Sequence, residues 1–221
     1  MRTFKAVFGK RVILPVIALC AMALPLDAAN AALVQYSFTG TVGSAGSALR
    51  PTIPVGSSMS GTFSFDDTTT ATGAGRYMGA VQGFSLNFDG YSVSWDSSGD
   101  INLIRIVDSP SGDIWRLRTS VMGDEIGAYS PTEFRLELED EDGLALSGTG
   151  LQNPPSLGNL TSTQWRLVFE NSNGSLVRLQ GVLNSLTAVP LPAAVLLFGA
   201  GLISLVGLGA GGLRNLRGAQ A

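Results

Sequence analysis

The 221-residue chain contains no histidine, and its one cysteine, Cys20, falls within the first 31 residues. Residues 32–188 therefore carry no imidazole, no thiol and no possible disulfide, and they also lack lysine. Each absence removes a class of chemistry. Ser-His and Cys-His nucleophilic systems are excluded. Ordinary structural and catalytic zinc sites lose their usual ligands. An oxidising compartment permits disulfides without requiring them, so core packing and strand pairing must hold this region together. Charge is sparse, at 14% of residues. The region's eight arginines (50, 76, 105, 116, 118, 135, 166 and 178) stand against 16 of the chain's 17 acidic residues, a net charge of −8. That balance disfavours nucleic acid and anionic lipid as partners. The whole-chain value of −3 conceals it, because both ends are basic.

The N-terminal end reads as a leader. Arg2, Lys5, Lys10 and Arg11 form a positive segment, and Val12 to Leu26 is apolar apart from Pro15 and Pro25. Ala29-Asn30-Ala31 fits a small-residue cleavage pattern, which predicts a signal peptide over residues 1–31, cut after Ala31. The apolar run is short for a membrane span of about 20 residues. Leu19 before Cys20 argues against a lipoprotein signal. The chain would leave the cytoplasm through the Sec translocon.

Residues 32–188 are one domain by length, built from short alternating segments between turn residues, which is an all-β pattern. The clearest unit is Phe84–Phe88, Asp89-Gly90 and Tyr91–Trp95. A two-residue Asp-Gly turn, with both positions at positive φ, pairs Phe88 with Tyr91, Leu86 with Val93 and Phe84 with Trp95. The apolar side chains then share one face, and Ser and Asn take the other. Further strands are predicted over 36–42, 59–65, 101–107, 114–122, 134–138, 144–146, 165–169, 176–179 and 182–186. The expected fold is an all-β, antiparallel β-sandwich of jelly-roll-like form with about ten strands. Segments 43–58, 66–79 and 148–163 are rich in small and turn residues and read as mobile loops.

The C-terminal end is tripartite. Val189-Pro190-Leu191-Pro192-Ala193 precedes an uncharged, glycine-rich stretch over 194–213, and Arg214 and Arg217 follow. Twenty residues at 1.5 Å each match the hydrocarbon thickness of a bilayer, predicting one transmembrane helix. The arginines hold its end in the cytoplasm, leaving the domain outside. Gly207 and Gly211 form a small-xxx-small pair able to pack on a partner helix. Pro190 and Pro192 keep the junction extended.

On these residues the tail resembles the PEP-CTERM sorting signal in its VPLPA variant. The match is Val189-Pro190-Leu191-Pro192-Ala193 followed by Val195 to Leu202 and the basic end at Arg214 and Arg217. Leu191 stands where the PEP form has its acidic residue, and the basic end is sparse. The resemblance implies recognition by an exosortase, a membrane cysteine peptidase of exopolysaccharide-producing Gram-negative bacteria. It implies transient anchoring in the inner membrane, removal of the tail, and export to the cell surface or matrix, where exopolysaccharide is a possible partner. Tyr36–Val42 and Gly61–Asp66 also resemble domains carried by such tails, without naming an activity.

The domain itself offers few candidate sites. Asp96 with Asp100, or Glu137 with Glu139, could be nominated as glycosidase carboxylates. Glu137 and Glu139 alternate with Leu136 and Leu138, so they point to solvent. Glu139, Asp140 and Asp142 in the acidic turn before Gly143 are the candidate calcium ligands, although the spacing is not that of an EF-hand and a solvated acidic hairpin turn is the simpler reading. Trp95, Trp115 and Trp165 could line a sugar-binding face, but each is in phase with core positions. The expectation is a non-enzymatic, exported domain with a structural or adhesive role. The alternatives are a lectin-like carbohydrate-binding module and a secreted glycosidase.

Overall fold

The computed structural model describes residues 33–190. Ten strands form: β1 (Leu33–Ala45), β2 (Ser58–Asp66), β3 (Arg76–Met78), β4 (Val81–Phe88), β5 (Tyr91–Trp95), β6 (Asn102–Val107), β7 (Asp113–Gly123), β8 (Tyr129–Asp140), β9 (Ser162–Asn171) and β10 (Leu176–Val189). Most strands alternate. In β8, Phe134, Leu136 and Leu138 are buried, while Glu133, Arg135 and Glu137 lie between them on the outside. One face of each strand is thus committed to a core by the period of two alone.

Every pairing is antiparallel, and the order β7-β5-β4-β2-β1-β10-β9-β8 returns on itself because β8 also pairs with β7. The expected sandwich is therefore a closed eight-stranded barrel. β6 continues the β5 side of the wall along the first half of β7, and β3 pairs with β6 outside that ring. Two pairings make the difference. β1 meets β10 from Gln35↔Val189 to Ala45↔Leu179, and β7 meets β8 from Asp113↔Asp140 to Ser120↔Glu133. These pairings satisfy backbone groups that a sandwich would leave along open edges. Irregularities at Thr39/Gly40 and Val42/Ser44 let β1 bend around the ring. At the same seam, a Cβ on Gly181 would run into the Thr41 carbonyl, so only glycine lets β10 approach β1 this closely.

Side chains fill the barrel. Phe38 packs at ring-centroid distances of 6.0 Å from Phe63, 6.2 Å from Phe84 and 5.9 Å from Phe134, and Phe84 and Phe134 are 4.4 Å apart. Trp115 and Trp165 are fully buried, as their phase predicted. An eight-stranded ring encloses about the volume that side chains can fill. Leu49 and Ile53, in a segment expected to be a mobile loop, are buried over one end of the barrel and held by turns such as Ile53 N–H to the Leu49 carbonyl, 2.8 Å. At the other end, Tyr77 Oη–H donates to the Thr149 carbonyl (2.7 Å) and Trp115 Nε1–H to that of Gln152 (3.0 Å).

Other expectations change in detail. The hairpin pairs Phe88 with Tyr91 and Leu86 with Val93 in the expected register, and its ladder ends at Ser85 opposite Ser94, one residue short of Phe84 and Trp95. Its turn has positive φ only at Gly90, so it is not the type with two left-handed positions. Leu144–Leu146 forms no strand. Its N–H groups are instead captured by two carboxylates: Leu144 (2.8 Å) and Ala145 (3.1 Å) donate to Asp140, and Leu146 (2.8 Å) to Asp113. The segments expected over 176–179 and 182–186 are one strand, β10, and β3 lies within an expected loop. Among the described residues no helix is long and apolar enough to cross a membrane. The predicted leader (1–31) and transmembrane helix (194–213) lie outside them.

Candidate functional site

With the interior filled, the polar side chains that alternate with the core residues emerge on the outer wall, which divides by composition. On the β1, β2, β4 and β5 side, register aligns two rows of small polar residues. Ser37, Thr62, Ser85 and Ser94 form one; Thr39, Ser60, Asn87 and Ser92 form the other. They border an open groove of about 630 Å³ that reaches Met122 and Asp124. Hydrogen bonds run along the rows: Thr39 with Ser185 (2.7 Å), Thr62 with Ser85 (2.9 Å) and Asn87 Nδ2–H to Ser92 (2.7 Å). At one end Tyr91 Oη–H donates to the Asp124 carbonyl (2.7 Å). Burial, with a smaller push from the Asp124 charge, raises the Tyr91 hydroxyl to about 12. The groove thus presents neutral donors and acceptors with one carboxylate at its margin.

The β7, β8 and β9 side carries arginines and glutamates instead. Arg118 binds Glu133 through two bonds, Nε–H to Oε1 at 2.6 Å and an Nη2–H to Oε2 at 3.0 Å. The hydrogen bond to Glu133 raises the Arg118 pKa, outweighing the lowering effect of burial. Glu137 accepts from Arg116 and Arg135 through the same oxygen. Burial pushes the Glu137 carboxyl up, but the bond from Arg135 and the charges of both arginines outweigh it, leaving it below its ordinary value. A glycosidase acid needs the opposite shift. Asp96, from the other nominated pair, is likewise held low by the hydroxyl and N–H of Ser98.

In the acidic turn, Asp140 and Asp142 border a common pocket with Leu144, Ala145 and Asn159. Glu139 faces outward, while Asp140 is buried and directed at its own turn, accepting from Asp142 N–H (3.3 Å) as well as Leu144 and Ala145. Among the described residues no group of three or more His, Cys, Asp or Glu is placed to hold a metal ion. Trp95 is only partly buried, and its Nε1–H is enclosed without a partner. Of the sorting motif, Val189 is the last residue of β10, opposite Gln35, and Pro190 follows it. Leu191, Pro192, Ala193, Arg214 and Arg217 lie outside the described residues.

Sequence reasoning anticipated the polar outer face of β4 and β5. It missed the rows, because their alignment depends on registers between strands distant in sequence. No protein-family model, curated protein or solved structure matches this chain.

Proposed function

We propose that this chain is an exported surface or extracellular-matrix protein whose barrel has a structural or adhesive role and whose C-terminal tail is an exosortase substrate. The observation that supports this reading most directly is the closure of the barrel by its own first and last strands. β1 begins at Leu33 and β10 ends at Val189, side by side at Gln35↔Val189. Cleavage after Ala31 and beyond the strand end near Pro190 would leave every strand in place. The two removable segments would also leave from the same end of the barrel. A domain delivered by a temporary anchor needs this separability.

The groove favours a second reading, a lectin-like module for neutral polyhydroxylated polymers, since hydroxyl and amide side chains can exchange hydrogen bonds with sugar hydroxyls. Full burial of Trp115 and Trp165 removes two of the stacking platforms such a module would use.

The test replaces both prolines, Pro190→Ala and Pro192→Ala, in the producing cells and follows the protein by fractionation. The double variant should stay with the inner membrane while the parent reaches the surface or medium. Equal release of the two would count against exosortase handling.

A further inference from the structure

Seven of the eight arginines in residues 32–188 face outward on one part of the wall. The registers set Arg76 opposite Arg105, Arg105 opposite Arg116, Arg118 opposite Arg135, and Arg135 opposite Arg166; Arg178 lies on β10 diagonal to Arg166. Like charges directly opposite one another weaken a sheet, so strand pairing alone does not account for four such pairs. The outward positions of the same strands carry only four carboxylates, Glu133, Glu137, Glu139 and Glu170. Seven arginines against four glutamates give this wall +3. The rest of residues 32–188, with one arginine and twelve carboxylates, carries −11.

Neutralisation within the wall is incomplete. Among the described residues, Arg105 and Arg166 make no ion pair. The Nε of Arg166 is buried without a hydrogen-bond partner. It borders a cleft of about 20 Å³ that it shares with Arg135, Glu137, Gln164 and Gln180. That space fits one water or one ligand oxygen.

We propose that this wall binds an acidic polysaccharide, with Arg166 and Arg105 receiving its carboxylates. The polymer being within reach rests on the export reading above; the binding chemistry does not. A guanidinium fork matches a planar carboxylate, and Arg118 on Glu133 shows that geometry on the same wall. From β3 to β10 the arginines extend over five strand spacings, about 24 Å, a linear array suited to a chain with repeated charges. The protein's own acidic surface is a poorer match, because Asp66, Asp67, Asp89, Asp108, Asp124 and Glu141 are dispersed over strand ends and turns. A nucleic acid backbone, with its dense phosphates, would meet the net negative charge of the remaining surface.

The test is affinity electrophoresis of the purified full-length chain in non-ionic detergent, through gels containing polygalacturonate, dextran sulfate or uncharged dextran. The parent should be retarded by polygalacturonate, and less so as salt rises. Arg105→Gln with Arg166→Gln, residues without ion pairs to lose, should weaken that binding about tenfold or more. Thermal melts establish that the parent and the double variant are both folded. Equal retardation of parent and double variant, retardation by dextran alone, or binding confined to dextran sulfate would each overturn the proposal. Because the assay uses purified protein, a failure of export in cells would leave its outcome untouched.

Discussion

Replacing Asp140 with alanine should release the 140–146 turn from the end of the barrel. The carboxylate is 6% exposed and accepts three N–H groups, at 2.8 Å from Leu144, 3.1 Å from Ala145 and 3.3 Å from Asp142. Hydrogen bonds to a charged acceptor contribute about 1.5–3 kcal/mol each. Taking only the two shorter ones, at the lower end because the turn can relax toward water, gives a loss of about 3 kcal/mol. For a chain of this size that lowers the melting temperature by roughly 6–12 °C. Asp140→Asn keeps one acceptor oxygen and should lose about half as much. Far-UV circular dichroism melts of the full chain in non-ionic detergent, with and without added calcium, read both effects. An alanine variant melting within about 2 °C of the parent would refute the reasoning. So would calcium raising the parent's melting temperature but not the variant's, since the carboxylate would then be a ligand rather than a latch.

Three other changes probe the barrel. Phe38→Ala removes a ring enclosed by Phe63, Phe84 and Phe134; denaturant unfolding should show a loss of about 3–5 kcal/mol, and near-neutrality would contradict the filled interior. Gly181→Ala places a methyl against the Thr41 carbonyl at the seam and should cost about 1–3 kcal/mol in the same assay; an unchanged midpoint would argue against the β1–β10 closure. Stability should also vary with pH at both extremes. The lowered pKa of Glu137 gives a contribution present above its unfolded value of about 4.5 and lost as pH falls through its folded value. The raised pKa of Tyr91 gives one present below 10 and lost as pH rises toward 12. Melts of Glu137→Gln and Tyr91→Phe should flatten the acid and alkaline limbs respectively.

The alternation in Phe84–Trp95 and Phe134–Leu138 made strands, a core face and a hairpin legible before any coordinates. Alternation states which face of a strand is inside but not which strand lies beside it, so sandwich and barrel share one pattern. The deciding contacts, such as Gln35 with Val189 and Trp115 with Leu138, are long-range. Leu144-Ala-Leu146 read as a strand because its apolar spacing is right; what overrode it was the demand of Asp113 and Asp140 for backbone donors. The arginine wall was invisible for the same reason as the closure. Arg118, Arg135 and Arg166 are separated by 17 and 31 positions, and only the strand registers set them in a row.

The most direct test of the central claim, a self-closed barrel separated from a temporary anchor, is the intact mass of the protein recovered from producing cells with and without their exosortase. The account predicts a species beginning at Ala32 and lacking residues 194–221 when the peptidase is present, and the same species still carrying those residues when it is absent. A single mass that includes residues 194–221 in both backgrounds would contradict it and leave the tail as a permanent membrane anchor.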